Sequence, residues 1–140
     1  MTTHGSIENQ LIFHEGMELK PYRCTAEKLS IGAGRNLDDK GITEEEALYL
    51  LHNDIAECRL DLVSIFPFFP GFSVGRQWAL IDLRFNLGPS RFRGFKKMIA
   101  AIKSDEWLLA GFELKNSTWW DQVQPDRRDT IYRQIMTGEK

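Results

Sequence analysis

Apolar residues recur at helical spacing along most of the chain, interrupted by one short stretch near the N-terminus. Ser6 is a good N-cap, and Ile7, Leu11 and Glu15 follow four residues apart before Gly16. This spacing predicts a helix ending at Glu15, closed by Gly16 in a left-handed conformation, with Ile7, Leu11 and Glu15 on its inward stripe. Residues 17 to 37 mix Pro21, β-branched and aromatic residues with Gly32 and Gly34, which predicts short strands and a tight turn. Asp38-Asp39-Lys40-Gly41 reads as a turn, and Thr43 with Glu46 reads as a capping box. Ala47, Leu50, Leu51, Asp54, Ile55 and Cys58 then trace a long amphipathic helix to about Val63.

Pro67-Phe68-Phe69-Pro70-Gly71 breaks the pattern into a rigid apolar loop. Trp78, Ile81, Leu83 and Phe85 lie on a helix stopped by Gly88-Pro89. Two short helices are expected over Phe92 to about Ile102 and Asp105 to about Leu114, and Pro125 opens a last one that stops at Gly138. The order is helix, small antiparallel sheet, linking helix and helical bundle, an α+β fold that is mainly helical. The four tryptophans, Trp78, Trp107, Trp119 and Trp120, are expected mostly in its core.

Composition narrows the class. With 42% hydrophobic and 27% charged residues in 140, disordered and fibrous chains are excluded and a buried interior is affordable. The charge is uneven. Residues 1 to 58 carry 11 acidic and 5 basic side chains, net −6, whereas residues 59 to 140 carry 9 and 13, net +4. Arg91, Arg93, Lys96 and Lys97 form the densest basic run, which reads either as a solvated helix face or as a surface that favours an anionic polymer. No recognition fingerprint accompanies it and the pI is acidic, so nucleic acid is not an expected partner.

Two cysteines, Cys24 and Cys58, are too few for a disulfide framework. No apolar run reaches membrane-spanning length, so stable membrane insertion is not expected. The N-terminus Met1-Thr2-Thr3-His4-Gly5 lacks the basic head and apolar core of an export signal, and the chain is expected to start in the cytoplasm of the cell that makes it. His4, His14 and His52 are scattered, so no metal site is expected.

The candidate chemistry lies in residues 15 to 36. Glu15 stands at the end of the first helix, where inward placement and the negative end of the helix dipole would both raise its proton affinity. Cys24 follows a short extended segment, and Ser30 opens Ser30-Ile31-Gly32-Ala33-Gly34. This stretch resembles the phage-type lysozymes, also called glycoside hydrolase family 24. Their signature is a glutamate, eight residues, an Asp or Cys, five residues and a Thr, running into Ile-Gly-x-Gly. Glu15, Cys24, Ser30 and Ile31-Gly32-Ala33-Gly34 fall in that register. In the second half Phe85-Asn86-Leu87-Gly88, Gly94-Phe95, Trp107, Trp119-Trp120, Pro125 and Arg127 also match residues of the family's bundle.

The resemblance implies one lysozyme-like domain: a small lobe over about 12–58, trimmed before the linking helix, and a helical lobe over about 59–140 that also takes the N-terminal helix. It implies a muramidase that hydrolyses the β-1,4 bond between N-acetylmuramic acid and N-acetylglucosamine, without cofactor, acting on bacterial peptidoglycan as a monomer. Glu15 would be the general acid, with Arg127 paired to it. Cys24 replaces the aspartate of the best-known members and would act as nucleophile or base. A thiol is ordinarily protonated at neutral pH, so the pH dependence should differ. Ser30 would position water less rigidly than threonine, having no χ1-stiffening methyl. Asn36, Phe85 and Asn86 would line the substrate cleft. Arg35, in place of a common histidine, would bridge to Asp54 on the linking helix. Inversion of configuration is favoured by the resemblance.

Two settings fit the lack of an export signal: a free endolysin released through a phage-made membrane lesion, or a component carried in the virion. Two rival activities stand beside the muramidase, a catalytically silent wall-binding protein and a chitin- or chitosan-cleaving enzyme.

Overall fold

The computed structural model describes residues 5–140, so residues 1–4, including His4 and most of the segment read for an export signal, lie outside the described residues. Packing divides the chain into a small unit ending at Tyr49 and a helical unit, Leu50–Lys140. The first helix and the sheet are both counted in the small unit.

In the small unit, helix α1 spans Ile7–Glu15. The Ser6 hydroxyl accepts from the Asn9 N–H at 3.1 Å, and Gly16, at φ 83°, returns its N–H to the Ile12 carbonyl. Both ends are where the sequence predicts them. The inward stripe is not: Ile7 and Leu11 are 60% and 48% exposed, and α1 buries none of its residues. Spacing decides which side chains share a face, but only a packed neighbour buries that face.

Strands β1 (Glu18–Arg23), β2 (Leu29–Gly32) and β3 (Arg35–Asn36) form an antiparallel sheet in that order. Pro21, which has no N–H to donate, sits on the edge strand β1. Tyr22 stands opposite Ser30, which in turn stands opposite Asn36. Ser30, on the central strand, is the one buried residue of the small unit among those described, 3% exposed.

Helix α2 (Glu44–Ile65) starts with the expected capping box. The Thr43 hydroxyl accepts from the Glu46 N–H at 3.1 Å, and Glu46 Oε1 accepts from the Thr43 N–H at 2.9 Å. The unit boundary falls inside α2, after Tyr49.

The helical unit continues through a 3₁₀ turn at Phe69–Gly71, then α3 (Val74–Arg93), α4 (Lys96–Lys103), α5 (Trp107–Lys115), α6 (Thr118–Gln122) and α7 (Pro125–Thr137). Gly88, at φ 81° and ψ 171°, breaks α3 just before Pro89, yet the chain resumes helix to Arg93. Gly138, at φ 77°, closes α7 as a left-handed cap.

Leu62, Phe66, Phe69, Leu80, Leu83, Phe92, Met98, Leu114, Ile131 and Ile135 form the core of this unit. Each such side chain, fully buried, contributes about 1.5–3 kcal/mol. Trp107 and Trp119 join this core, but Trp78 is exposed.

One ionic cluster holds the broken helix. Asp61 on α2 accepts from buried Arg84 Nε at 2.6 Å and from Arg93 Nη1 at 2.9 Å, residues on either side of the Gly88 break. These guanidinium donors, Arg93 foremost, hold the Asp61 carboxyl down to about 2.

Candidate active site

Three of the expected catalytic residues, Glu15, Cys24 and Ser30, lie in the small unit. Glu15, the last residue of α1, is exposed. Its carboxyl rests on the β2–β3 turn, where a Cβ built on Gly34 would lie 3.1 Å from Oε2. Gly34 also adopts φ 82°, so any side chain there would be both strained and crowded against the carboxylate. The expected burial of Glu15 is absent, because α1 offers this residue at its open end.

Cys24 follows β1 and is half-buried. The turn that carries it is fixed by its own backbone: its N–H donates to the Lys28 carbonyl at 3.0 Å, and its carbonyl accepts from the Glu27 N–H at 2.9 Å. The backbone N–H groups of Lys28 and then Ala26 stabilise the thiolate, the Ser30 hydroxyl adds to them, and together they hold the thiol below its ordinary value despite partial burial. The Ser30 hydroxyl can also donate to the Lys28 carbonyl, at 3.3 Å. Cys24 and Ser30 are thus brought together, one as a sulfur that favours its anion and the other as a buried hydroxyl beside it.

Asn36 lies next to Ser30 across the β2–β3 ladder. Its side-chain NH₂ donates to Asp39 at 3.0 Å and its carbonyl oxygen accepts from the Asp39 N–H at 2.9 Å. Both ends of the amide are committed to that turn, and the Asn36 carbonyl accepts from the Lys40 N–H at 3.3 Å.

Arg35, expected to bridge to Asp54, pairs within the small unit. Its guanidinium grips Glu46 through two 2.8 Å contacts and donates to the Gly41 carbonyl at 3.2 Å. Glu46 wins because the capping box already fixes its carboxylate beside the turn that carries Gly41. Arg35 and then the Thr43 N–H hold the Glu46 carboxyl down to about 2.

Arg127, expected opposite Glu15, forms its ion pair with Asp82, its Nε donating at 2.7 Å. This pair lines a groove of about 450 Å³ in the helical unit together with Trp78, Ile81 and Phe85. Phe85, 43% exposed on α3, presents an apolar face beside charged donors and acceptors. Such a mixture suits sugar rings, which stack on apolar faces and offer hydroxyls at their rims. Asn86 is held elsewhere: its side-chain oxygen accepts from Trp119 Nε1 at 2.8 Å, and it lines a second recess with Gln122 and Gln124 that shares Arg127 with the groove.

The phage lysozyme family model matches residues 13–130, a span that holds α1's end, the sheet and the bundle. The chain belongs to the phage lysozyme family. Among the proteins it is similar to are probable T4-type lysozymes 2 and 1 of Dictyostelium discoideum. Each is 26% identical to it, with 96% of this chain and 95% of the relative covered. A third relative, the pre-baseplate central spike protein Gp5 of Enterobacteria phage T4, is 29% identical over 79% of this chain and 20% of its own length.

Within this phage lysozyme family chain, sequence reasoning missed Glu46 as the partner of Arg35, Asp82 as the partner of Arg127, and Trp78 as a groove residue. Glu46 was findable: a capping-box glutamate is held in place and ready for a second partner. Asp82 carries a weaker signal, an acidic residue inside the apolar run Leu80-Ile81-Asp82-Leu83.

Proposed function

We propose that the chain is a muramidase, hydrolysing the β-1,4 bond between N-acetylmuramic acid and N-acetylglucosamine of bacterial peptidoglycan. In this reading Glu15 gives its proton to the leaving oxygen. Cys24 acts as an anion toward the sugar carbon or toward water, and Ser30 orients that water. Asn36 and Phe85 contribute to sugar binding, while Asn86 contributes from the recess it shares with Trp119.

The observation that carries the reading is that Glu15, Cys24 and Ser30 stand in the family's register, at the end of α1, after β1 and on β2, in a chain whose residues 13–130 match the phage lysozyme family. The Lys28 and Ala26 N–H groups and the Ser30 hydroxyl lower the Cys24 thiol, which favours an anion where the best-known members of the family use a carboxylate. The names of the two amoebal relatives support lysozyme activity. The third relative is, by its name, a spike protein of a phage baseplate, which supports a virion-borne role beside that of a free endolysin.

The test is loss of turbidity of outer-membrane-permeabilised Gram-negative cells, wild type beside Glu15→Gln. Clearance by the wild type alone is expected. A folded wild type that binds walls without clearing them turns the assignment to a silent wall-binding protein. The exposure of Glu15 is the observation that favours this second reading.

A further inference from the structure

The helical unit holds a groove of about 530 Å³ that shares Arg91 and Trp119 with the Asn86 recess but is lined further by the start of α4, which the proposed chemistry does not use. Arg91, Lys96 and Lys97 line it, with Asn116 and Thr118 as neutral hydrogen-bonding groups, Glu113 as the one carboxylate, and Phe95, Met98 and Trp119 as its apolar part. The basic run of the sequence therefore divides by function. Arg93 is consumed by Asp61, whereas Arg91, Lys96 and Lys97 form no ion pair among the described residues and turn to this groove.

The local structure makes that arrangement costly when the groove is empty. Lys96 and Lys97 are the first two residues of α4, and Phe95 before them supplies no side-chain cap. Two cations thus sit at the positive end of a helix whose first N–H groups are uncapped, where acidic residues are the favourable choice. An anion in the groove would reverse the sign of that interaction. Tetrahedral oxyanions suit such a set, because the Arg91 fork, two ammonium groups and free hydrogen-bond donors can share several oxygens.

We propose that this groove binds a phosphodiester-linked polymer of the bacterial envelope, holding the protein on the wall that it cuts. Phosphates engage Arg91, Lys96 and Lys97, and hydroxyls of the units between them donate to Glu113. Only the choice of an envelope polymer rests on the muramidase reading; the anion site itself stands on the groove.

The test is calorimetric titration of the full chain with a short poly(glycerol phosphate) oligomer, alongside poly-glutamate of equal charge and a single-stranded oligonucleotide. The phosphate oligomer is expected to bind, more weakly at higher salt. Lys96→Gln/Lys97→Gln should lose about tenfold or more in affinity with an unchanged circular dichroism spectrum, as fits the loss of charge-assisted hydrogen bonds. Glu113→Gln should still bind the oligomer, and poly-glutamate should bind at least about tenfold more weakly than the phosphate oligomer. Equal binding by the lysine variant, equal binding of poly-glutamate, or tighter binding of the oligonucleotide overturns the proposal. The titration reads binding of a soluble polymer, so failure of the muramidase assignment leaves its outcome unaffected.

Discussion

The α-carbon of Gly34 lies against the carboxylate of Glu15, so closely that a methyl group there would stand 3.1 Å from Oε2. The double glycine of the β2–β3 turn is therefore tied at its second member to the candidate acid. Gly34→Ala should destabilise the protein by about 1–2 kcal/mol through its positive φ alone. It should also push the carboxylate aside. Urea denaturation and the turbidity assay together check this; a variant with full stability and full activity would sink the assignment.

Cys24 and Cys58 should react differently. Backbone N–H groups lower the Cys24 thiol, whereas burial pushes the Cys58 thiol up. A lowered pKa means more thiolate at a given pH, so iodoacetamide should modify Cys24 well before Cys58 as pH rises toward the ordinary thiol range. Mass spectrometry of the two peptides reads the order. Modification of Cys24 should abolish activity, Cys24→Asp should retain it, and a fully active Cys24→Ala would remove the residue from the mechanism.

Asp61 should matter to stability in a way that depends on acid. Its carboxyl lies at about 2 against an ordinary 3.8, so the contribution is complete above the ordinary value and is lost as pH falls through the folded one. Asp61→Asn leaves the buried Arg84 without its counter-ion, a loss of about 3 kcal/mol at neutral pH. Denaturation at neutral pH and at successively lower pH should show the gap between variant and wild type closing toward pH 2. A gap that stays constant would place the stabilisation elsewhere.

The two candidate partners of Arg35 can be told apart directly. Glu46→Gln removes an ion pair and weakens a helix cap, and should lower the melting temperature clearly. Asp54→Asn should change stability by less than about 0.5 kcal/mol, as is usual for an exposed residue that forms no ion pair among the described residues. Thermal denaturation of the two variants decides, and the reverse order would restore Asp54.

Much of the fold was legible because its signals are local. Ser6, the Thr43–Glu46 box, Pro125 and Gly138 each act within one turn of helix, so short spacings suffice to find them. The five-residue α6 was missed because one turn of helix has no periodicity to read. Gly88-Pro89 announced a break correctly, but nothing in a break says whether a helix will resume behind it. The exposure of Ile7, Leu11 and Trp78 was invisible for the opposite reason: burial is decided by which surfaces meet.

The site divides in the same way. Glu15, Cys24 and Ser30 could be proposed together because their types and spacing lie within one short segment. Glu46 and Asp82, which pair with Arg35 and Arg127 within their own units, were not named, since spacing identifies the acids a cation can reach without ranking them. Arg84, Asp61 and Arg93 were not paired at all, although an arginine between Leu83 and Phe85 on a helix needs a buried counter-ion.

Glu46 Oε1 accepts from the Thr43 N–H at the start of α2 and from Arg35 on β3. A single atom therefore latches two elements, and fraying of the helix start releases the sheet edge at the same moment. Amide protons protected by the first turn of α2 and by β3 should exchange with solvent in one cooperative opening, at a common rate set by that latch.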